Sequence, residues 1–137
     1  MSMSGVTAQA ECVQAFNDLK LGKKYKYIIY KLSADMKSIE VEKSSDRSAT
    51  YDDFIGDLPK DDCRYAVFDF DYKAPDGGDR AKIVFYTWSP DDAKIKQKMV
   101  YASSKDTLRK SLNGVGVDVQ GTDYDEVTQE AVQEKIR

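Results

Sequence analysis

The sequence lacks histidine, has few cysteines and contains no long apolar run, and each absence excludes a class of function. Without histidine, the chain has no histidine-based acid–base catalysis, no histidine pH switch and few routes to a zinc or iron site. The two cysteines, Cys12 and Cys63, fit neither a C-x-x-C nor a metal-ligand spacing, so we expect reduced thiols in the core. No apolar run reaches the length of a membrane span, and the first residues lack basic and apolar signal regions. We therefore expect a cytosolic or nuclear protein.

The rest of the composition is typical of one compact domain. Eight glycines and three prolines among 137 residues are too few for a disordered chain. A chain of this length buries enough surface to fold without a metal or a disulfide, and no repeat or linker divides it. We expect a single domain with no cofactor. The net charge of −3 argues against a general nucleic-acid binder.

Apolar spacing and turn residues predict nine elements. In order, these are a helix over 11–21, strands over 25–32 and 38–43, a short helix after Thr50, strands over 64–72 and 82–88, a long helix over 89–112, a strand over 117–120 and a helix over 128–136. The order mixes hairpins with crossovers. It therefore predicts an α/β (α+β) domain in which a central mixed five-stranded sheet has helices on both faces.

The long helix carries the strongest local signals. Ser89, Pro90 and two aspartates form a helix start, with a capping hydroxyl and acids at the positive end of the dipole. The spacing predicts an inward row of Ile95, Met99, Ala102, Leu108 and Leu112. It also predicts one solvent face of Lys94, Lys98, Tyr101, Lys105 and Arg109.

Charge is concentrated along this part of the chain. Residues 80–112 hold eight lysines and arginines against three acids, a net charge of +5, whereas the segments on either side each carry −4. A charge run is usually a solvated helix face. This one has almost no acids of opposite sign to neutralise it, so an acidic partner is an equally good explanation.

Catalytic and metal-binding motifs are weak. Asp69 and Asp71 share one predicted strand face and could hold Mg²⁺, but outward acids on an alternating strand usually serve solubility. The glycines near residue 114 do not form a dinucleotide fingerprint, and no serine or cysteine has a histidine to activate it. We do not expect an enzyme.

Several segments together resemble the ADF/cofilin family, and the compact fungal cofilins most closely. They are SGV at 4–6, AFNDLK at 15–20, DCRYA at 62–66, WSPD at 88–91, KMVYASSKDTLR at 98–109 and VQGTD at 119–123. The similarity covers essentially the whole chain. It implies one ADF-homology domain over 1–137, with a flexible N-terminal arm over 1–6. It also implies a monomeric protein that binds monomeric and filamentous actin, prefers the ADP form, and severs and depolymerises filaments.

The resemblance also implies which residues act. The surface for monomers and filaments would comprise Ser4, Gly5, Val6, Lys96, Lys98 and Met99. The surface for filaments alone would comprise Arg80, Lys82, Glu134, Lys135 and Arg137. Met99 has two interpretations, because its spacing from Ile95 also fits a core position. Since actin is acidic, the basic segment is the part of this chain suited to meet it.

Regulation is implied at two places. Phosphorylation of Ser4 would add negative charge beside an acidic partner and so block actin binding. Phosphoinositide headgroups such as PIP2 would bind Lys105, Asp106, Arg109 and Lys110 and compete with actin. Further partners would be actin-interacting and cyclase-associated proteins.

Two alternatives to filament severing remain. One is an ADF-homology module that binds actin monomers without severing, and the other is a phosphoinositide-binding regulator at membranes. The resemblance places the protein in the cytoplasm at the actin cytoskeleton, including cortical patches, with passive entry to the nucleus. The lysine-rich import signal of animal cofilins is missing, since only residues 22–26 come near it.

Overall fold

The computed structural model describes residues 5–136. The elements are β1 (Thr7–Ala8), α1 (Ala10–Lys20), β2 (Tyr25–Leu32), β3 (Ser38–Asp46), α2 (Tyr51–Gly56), β4 (Arg64–Lys73), β5 (Asp79–Trp88), α3 (Ile95–Arg109), β6 (Val115–Gly121), a 3-10 turn (Tyr124–Val127) and α4 (Gln129–Ile136). All nine predicted elements are present, and β2 has the predicted bounds. The strands β3 and β5 extend beyond the predicted bounds.

The strands form one mixed sheet in the order β1-β3-β2-β4-β5-β6. The two predicted hairpins are antiparallel, and β4 pairs with β5 in unbroken register from Arg64 opposite Trp88 to Lys73 opposite Asp79. β6 lies parallel to β5, which requires the crossover that α3 provides. The predicted five strands are confirmed, and a sixth, β1, pairs in parallel with β3 at the edge. Two residues are too short to produce a periodic signal.

Each face of the sheet has its own hydrophobic core. α1 and α3 cover one face, where Phe16 and Leu108 pack on the strands. α2 and α4 cover the other face, where Phe54 and Val132 do the same. The prediction of helices on both faces is confirmed. Cys12 and Cys63 are free and buried in the first core, also as predicted.

The start of α3 differs from the prediction. Ser89 does not cap the helix, because its backbone N–H donates to Gly121 O at 2.9 Å and its side chain faces the Cys63 sulfur. The next residues form a turn closed by the Ala93 N–H on Pro90 O, and the helix begins only at Ile95. The capping signal at Ser89 was wrong because tertiary pairing with β6 holds this segment outside the helix.

The buried face of α3 is also rotated relative to the prediction. Its buried residues are Tyr101, Ser104 and Leu108, whereas Ile95, Met99 and Ala102, predicted inward, are exposed. Tyr101, predicted on the solvent face, is in the core, and its hydroxyl accepts the Leu32 backbone N–H at 2.9 Å. The Tyr101 ring, whose hydroxyl is hydrogen-bonded, buries more surface than the side chains that were predicted to face inward. The prediction for Leu108 and Leu112 is confirmed.

Two further predictions need correction. Val6, assigned to a flexible arm, is only 3% exposed and belongs to the first core, so the chain is anchored there. Residues 1–4 of that arm lie outside the described residues. Asp69, predicted to face solvent with Asp71, is buried, because Arg47 and Lys23 cover its carboxylate at 2.9 and 3.4 Å.

Candidate functional site

The outward face of α3 presents apolar and basic side chains to solvent. Ile95 is 75% exposed and Met99 is 66% exposed, one helical turn apart. Lys96 is exposed beside them. Large apolar side chains at i and i+4 on an outward helix face are characteristic of a contact surface. The core interpretation of Met99 is therefore wrong. Ile95 was missed because the sequence pattern placed it inward.

The segment before α3 fixes how this face is presented. Asp91 donates its backbone N–H to Thr122 O at 3.3 Å, which ties the segment to the chain after β6. Lys98 donates from Nζ to Asp91 O at 2.9 Å. Lys98 is thus half-buried on the flank of the helix, and its stem helps to hold the loop in place.

The N-terminal segment meets the other end of α3. Gly5 lines a hollow with Thr107, Lys110 and Ser111. Gly5 is exposed with a φ of +75°, a conformation that favours glycine. The outward face continues from Lys96 through Ala102, Ser103 and Asp106 to Lys110, over about 20 Å of helix. Of the predicted monomer-and-filament residues, Gly5, Lys96 and Met99 therefore lie along one face, whereas Lys98 is on the flank of the helix, the Val6 side chain is buried and Ser4 is outside the described residues.

Most basic side chains of the +5 segment are unpaired. Arg80 pairs with Asp76, and Arg109 pairs with Asp118. The other six have no ion pair within residues 5–136: they are Lys82, Lys94, Lys96, Lys98, Lys105 and Lys110. Because the segment holds only three acids, Asp91, Asp92 and Asp106, it keeps a net positive charge that is available to a partner.

The second predicted surface is formed by the β4–β5 hairpin and α4. Arg80 lines a shallow groove with Tyr72 of β4 and with Gln129 and Gln133 of α4. The Lys82 stem lies against Gly116 of β6, close to where a β-carbon would stand. The fold therefore brings Arg80 next to α4, as the predicted set requires.

The remaining residues of that set are divided. Glu134 and Lys135 line a different groove, with Gln120 of β6 and Glu126. Within one helix, Lys135 is about 200° around the axis from Gln133, so it faces away from Arg80. Arg137 lies outside the described residues. Arg80 and Lys135 therefore lie on two different sides of α4, and their grouping on one filament surface stays a prediction.

The predicted phosphoinositide residues do not share one environment. Arg109 Nε donates to Asp118 Oδ1 at 2.7 Å, so an internal carboxylate neutralises its charge. Lys105 is half-buried, while Asp106 and Lys110 are exposed four residues apart. Lys110 is therefore the most available of the three cations in this set.

Shifted ionisable groups have structural roles. Burial raises the pKa of Cys12 to about 12 and raises the pKa of Tyr65 and Tyr101. These groups stay neutral in the core, unlike a general base in a cleft. Among residues 5–136 no cluster of three or more acids or cysteines is arranged to hold a metal. Within the same residues no helix is long and apolar enough to span a bilayer.

Known proteins resemble the chain over its whole length. The family model described as cofilin/tropomyosin-type actin-binding protein matches residues 5–137. Cofilin of Ogataea parapolymorpha is 58% identical over 137 residues, which cover 99% of this chain and 95% of that protein. Cofilin of Eremothecium gossypii is 57% identical with the same coverage.

A solved structure agrees with these relatives. The crystal structure of Streptomyces griseoflavus cofilin superposes with a TM-score of 0.90 at 54% identity and covers 96% of each chain. The fold and the sequence of this chain therefore both match those of cofilins along nearly its whole length. This chain belongs to the ADF/cofilin family of actin-binding proteins.

Proposed function

We propose that this chain binds both monomeric and filamentous actin, prefers the ADP form, and severs and depolymerises filaments. It acts through binding energy and catalyses no chemical reaction. A protein that binds one filament conformation better than another shifts the filament toward it. Severing follows at the boundary between filament segments in the two conformations.

The exposed face of α3 is the observation that carries this proposal. Ile95 and Met99 supply an apolar centre, and Lys96 supplies charge at its edge. Contact surfaces commonly combine a desolvated apolar centre with a charged rim. The acidic surface of actin fits this charge, and residues near Gly5 extend the same face.

Substitution of Ile95 tests the assignment. Ile95→Ser should weaken binding to actin monomers about tenfold, because the complex loses a buried apolar side chain. Leu21→Ser is the matched control, since Leu21 is 74% exposed on a different part of the surface. Co-sedimentation and a fluorescent monomer assay measure binding, and thermal unfolding checks that both variants fold. Equal binding by the two variants would refute the α3 assignment.

Filament binding uses a second surface at Arg80 and Lys82, together with Glu134, Lys135 and Arg137. Support comes from the groove where Arg80 adjoins α4. Arg80→Ala should reduce filament co-sedimentation and severing while monomer binding is preserved. Lys24→Ala is the control, because Lys24 is an exposed lysine that follows α1 and does not line this groove. Loss of monomer binding by Arg80→Ala would contradict a separate filament surface.

Lipid and phosphorylation would regulate the first surface. Lys105, Asp106, Arg109 and Lys110 form the phosphoinositide site, and the availability of Lys110 supports it. Because this site and the actin contact share α3, vesicles containing PIP2 should displace the protein from filaments. Unchanged filament binding with saturating vesicles would refute that competition.

Ser4 is the proposed phosphorylation site, and Ser4→Glu should weaken actin binding. Binding equal to that of the unmodified chain would refute this role. Actin-interacting and cyclase-associated proteins are the further proposed partners. The location is the actin cytoskeleton of the cytoplasm, including cortical patches, with passive access to the nucleus.

A further inference from the structure

The chain has two asparagines, and only one of them is followed by glycine. Asn113 precedes Gly114 in the turn that joins α3 to β6, whereas Asn17 precedes Asp18 inside α1. An asparagine side chain can be attacked by the backbone nitrogen of the next residue, and the attack is fastest before glycine, which has no side chain to obstruct it. The Asp18 nitrogen is held in the hydrogen bonds of a helix. Asn113 is therefore the asparagine at which this chemistry is open.

Both reacting groups at Asn113 are free among residues 5–136. No described residue accepts the Gly114 N–H or hydrogen-bonds to the Asn113 carboxamide, and both residues are exposed. Lys20 Nζ donates to the Asn113 backbone oxygen at 2.8 Å. This contact draws electron density from the peptide bond, which favours loss of the Gly114 proton. Gly114 has a φ of +104°, so the turn requires glycine and leaves the attacking nitrogen unshielded.

A second turn of this chain shows the opposite arrangement. Asp76 and Gly77 lie in the turn of the β4–β5 hairpin and are also exposed. There the Gly77 N–H donates to Ala74 O at 2.8 Å, and the Asp76 carboxylate accepts the Gly78 N–H at 2.8 Å. The attacking nitrogen and the side chain are thus both occupied. Hydrogen bonding, and not exposure, distinguishes the two turns.

We propose that Asn113 is a modification site at which the chain deamidates and forms isoaspartate. The Gly114 nitrogen loses its proton and bonds to the side-chain carbonyl carbon of Asn113. The bond from that carbon to the side-chain nitrogen breaks, and ammonia leaves with the proton. Water then opens the cyclic imide: opening at the backbone carbonyl carbon gives isoaspartate, and opening at the side-chain carbon gives aspartate. Water enters, ammonia leaves and nothing is oxidised or reduced, so the reaction needs no partner and is independent of actin binding.

Isoaspartate strains the connection between α3 and β6, because the main chain then runs through the former side chain and gains a methylene. Leu112, just before the turn, is fully buried in the first core. Val115, just after it, packs against the same core and pairs with Ile83 of β5. Both ends of the turn are therefore fixed, and a close-packed core does not accept a longer connection without displacement. We expect the isoaspartyl form to be less stable than the unmodified chain.

Ageing of the purified chain tests the site. Wild type is incubated at neutral pH and physiological temperature, and peptide mass spectrometry locates each carboxamide that has become an acid. An isoaspartyl methyltransferase with labelled S-adenosylmethionine then counts isoaspartate. Asn113→Gln removes the site, because glutamine would have to close a larger ring, and Asn17→Gln is the matched control. Asp76→Asn adds a second asparagine–glycine pair, placed in the hydrogen-bonded hairpin turn.

We expect wild type and Asn17→Gln to accumulate isoaspartate at position 113, and Asn113→Gln to accumulate none there. In folded Asp76→Asn, position 113 should convert roughly tenfold faster than position 76, since two hydrogen bonds must first break at position 76. In urea, which removes both turns, the two positions should convert at equal rates. Earlier conversion at Asn17, no isoaspartate at position 113, or equal rates at the two pairs in the folded protein would overturn the site.

Urea unfolding separates the added methylene from the added charge. The isoaspartyl form is isolated by ion exchange, confirmed with the methyltransferase, and compared with Asn113→Asp, which carries the same carboxylate on a main chain of normal length. The isoaspartyl form should unfold at a lower urea midpoint than Asn113→Asp. Equal midpoints would show that the turn between α3 and β6 accepts the longer chain and would refute the strain.

Discussion

Asp69 illustrates how one side chain depends on residues distant in sequence. It shares a face of β4 with Asp71, and strand alternation alone predicts the same environment for both. The structure buries Asp69 to 2% exposure beneath Arg47, whose guanidinium also donates to Tyr25 O at 2.9 Å. Asp71 stays at the surface with Lys26. Periodicity cannot predict this difference, because the covering cation comes from the chain after β3.

Removing the charge of Asp69 tests its structural role. Asp69→Asn should lower the free energy of unfolding by about 1–3 kcal/mol, because Arg47 and Lys23 lose a buried anionic partner. Asp71→Asn, on the same strand face, should change it by less than about 0.5 kcal/mol. Urea unfolding of both variants measures the difference. Equal values would show that Asp69 contributes no more than a surface acid.

At the level of elements, a helix-capping signal in the sequence was reliable where the backbone of the capping residue makes no competing tertiary hydrogen bond. Thr50 caps α2 in a complete capping box, since its hydroxyl accepts the Asp53 N–H while the Asp53 carboxylate accepts the Thr50 N–H. The similar signal at Ser89 does not act as a cap, because strand β6 engages that backbone first. The two sites therefore offer a direct comparison.

Alanine at each site should separate the real cap from the apparent one. Thr50→Ala should destabilise the protein by about 1 kcal/mol, the usual loss for a capping hydroxyl. Ser89→Ala should cost less than about 0.5 kcal/mol, since the hydroxyl has only a long contact of 3.7 Å with the Cys63 sulfur. Chemical denaturation of the two variants decides. A larger loss at Ser89 would mean that the hydroxyl stabilises the loop before α3.

Most of the fold could be predicted from sequence, but the orientation of α3 could not. Alternating apolar residues and turn residues predict the two hairpins, and apolar residues at helical spacing predict α1. α3 carries two competing rows, one through Ile95 and Met99 and one through Tyr101 and Leu108. Only tertiary contacts select between them, and the selected row leaves the first pair exposed. The candidate site therefore lies on α3, the helix for which the sequence does not decide which side faces the core.

At the level of the whole molecule, ionisable groups are distributed so that stability is insensitive to pH near neutrality. No histidine is present. Burial raises the pKa of Cys12 to about 12 and of Tyr51 to about 12, and it raises the pKa of the other core tyrosines. Each folded-state pKa is above the unfolded value, so stability is full below the unfolded pKa and falls as pH rises toward the folded pKa.

The free energy of unfolding should therefore be flat from about pH 6 to 8 and fall above about pH 9. Each buried group that loses its proton only on unfolding contributes a slope of about 1.4 kcal/mol per pH unit. Urea unfolding between pH 6 and 11 measures this profile. Cys12→Ala should make the alkaline decline shallower. A decline that starts below pH 7 would contradict the assignment of the pH dependence to buried thiols and phenols.

In the proposed function, the exposed face of α3 makes the contact through which the protein severs actin filaments. Fluorescence microscopy of ADP-actin filaments tests it with wild type, Lys96→Ala/Lys98→Ala and the control Lys24→Ala/Lys43→Ala, which removes the same charge from exposed lysines away from α3. We predict that wild type and the control shorten filaments and that the α3 variant leaves them intact. Severing by the α3 variant at the wild-type rate, or intact filaments with wild type, would contradict this role of α3.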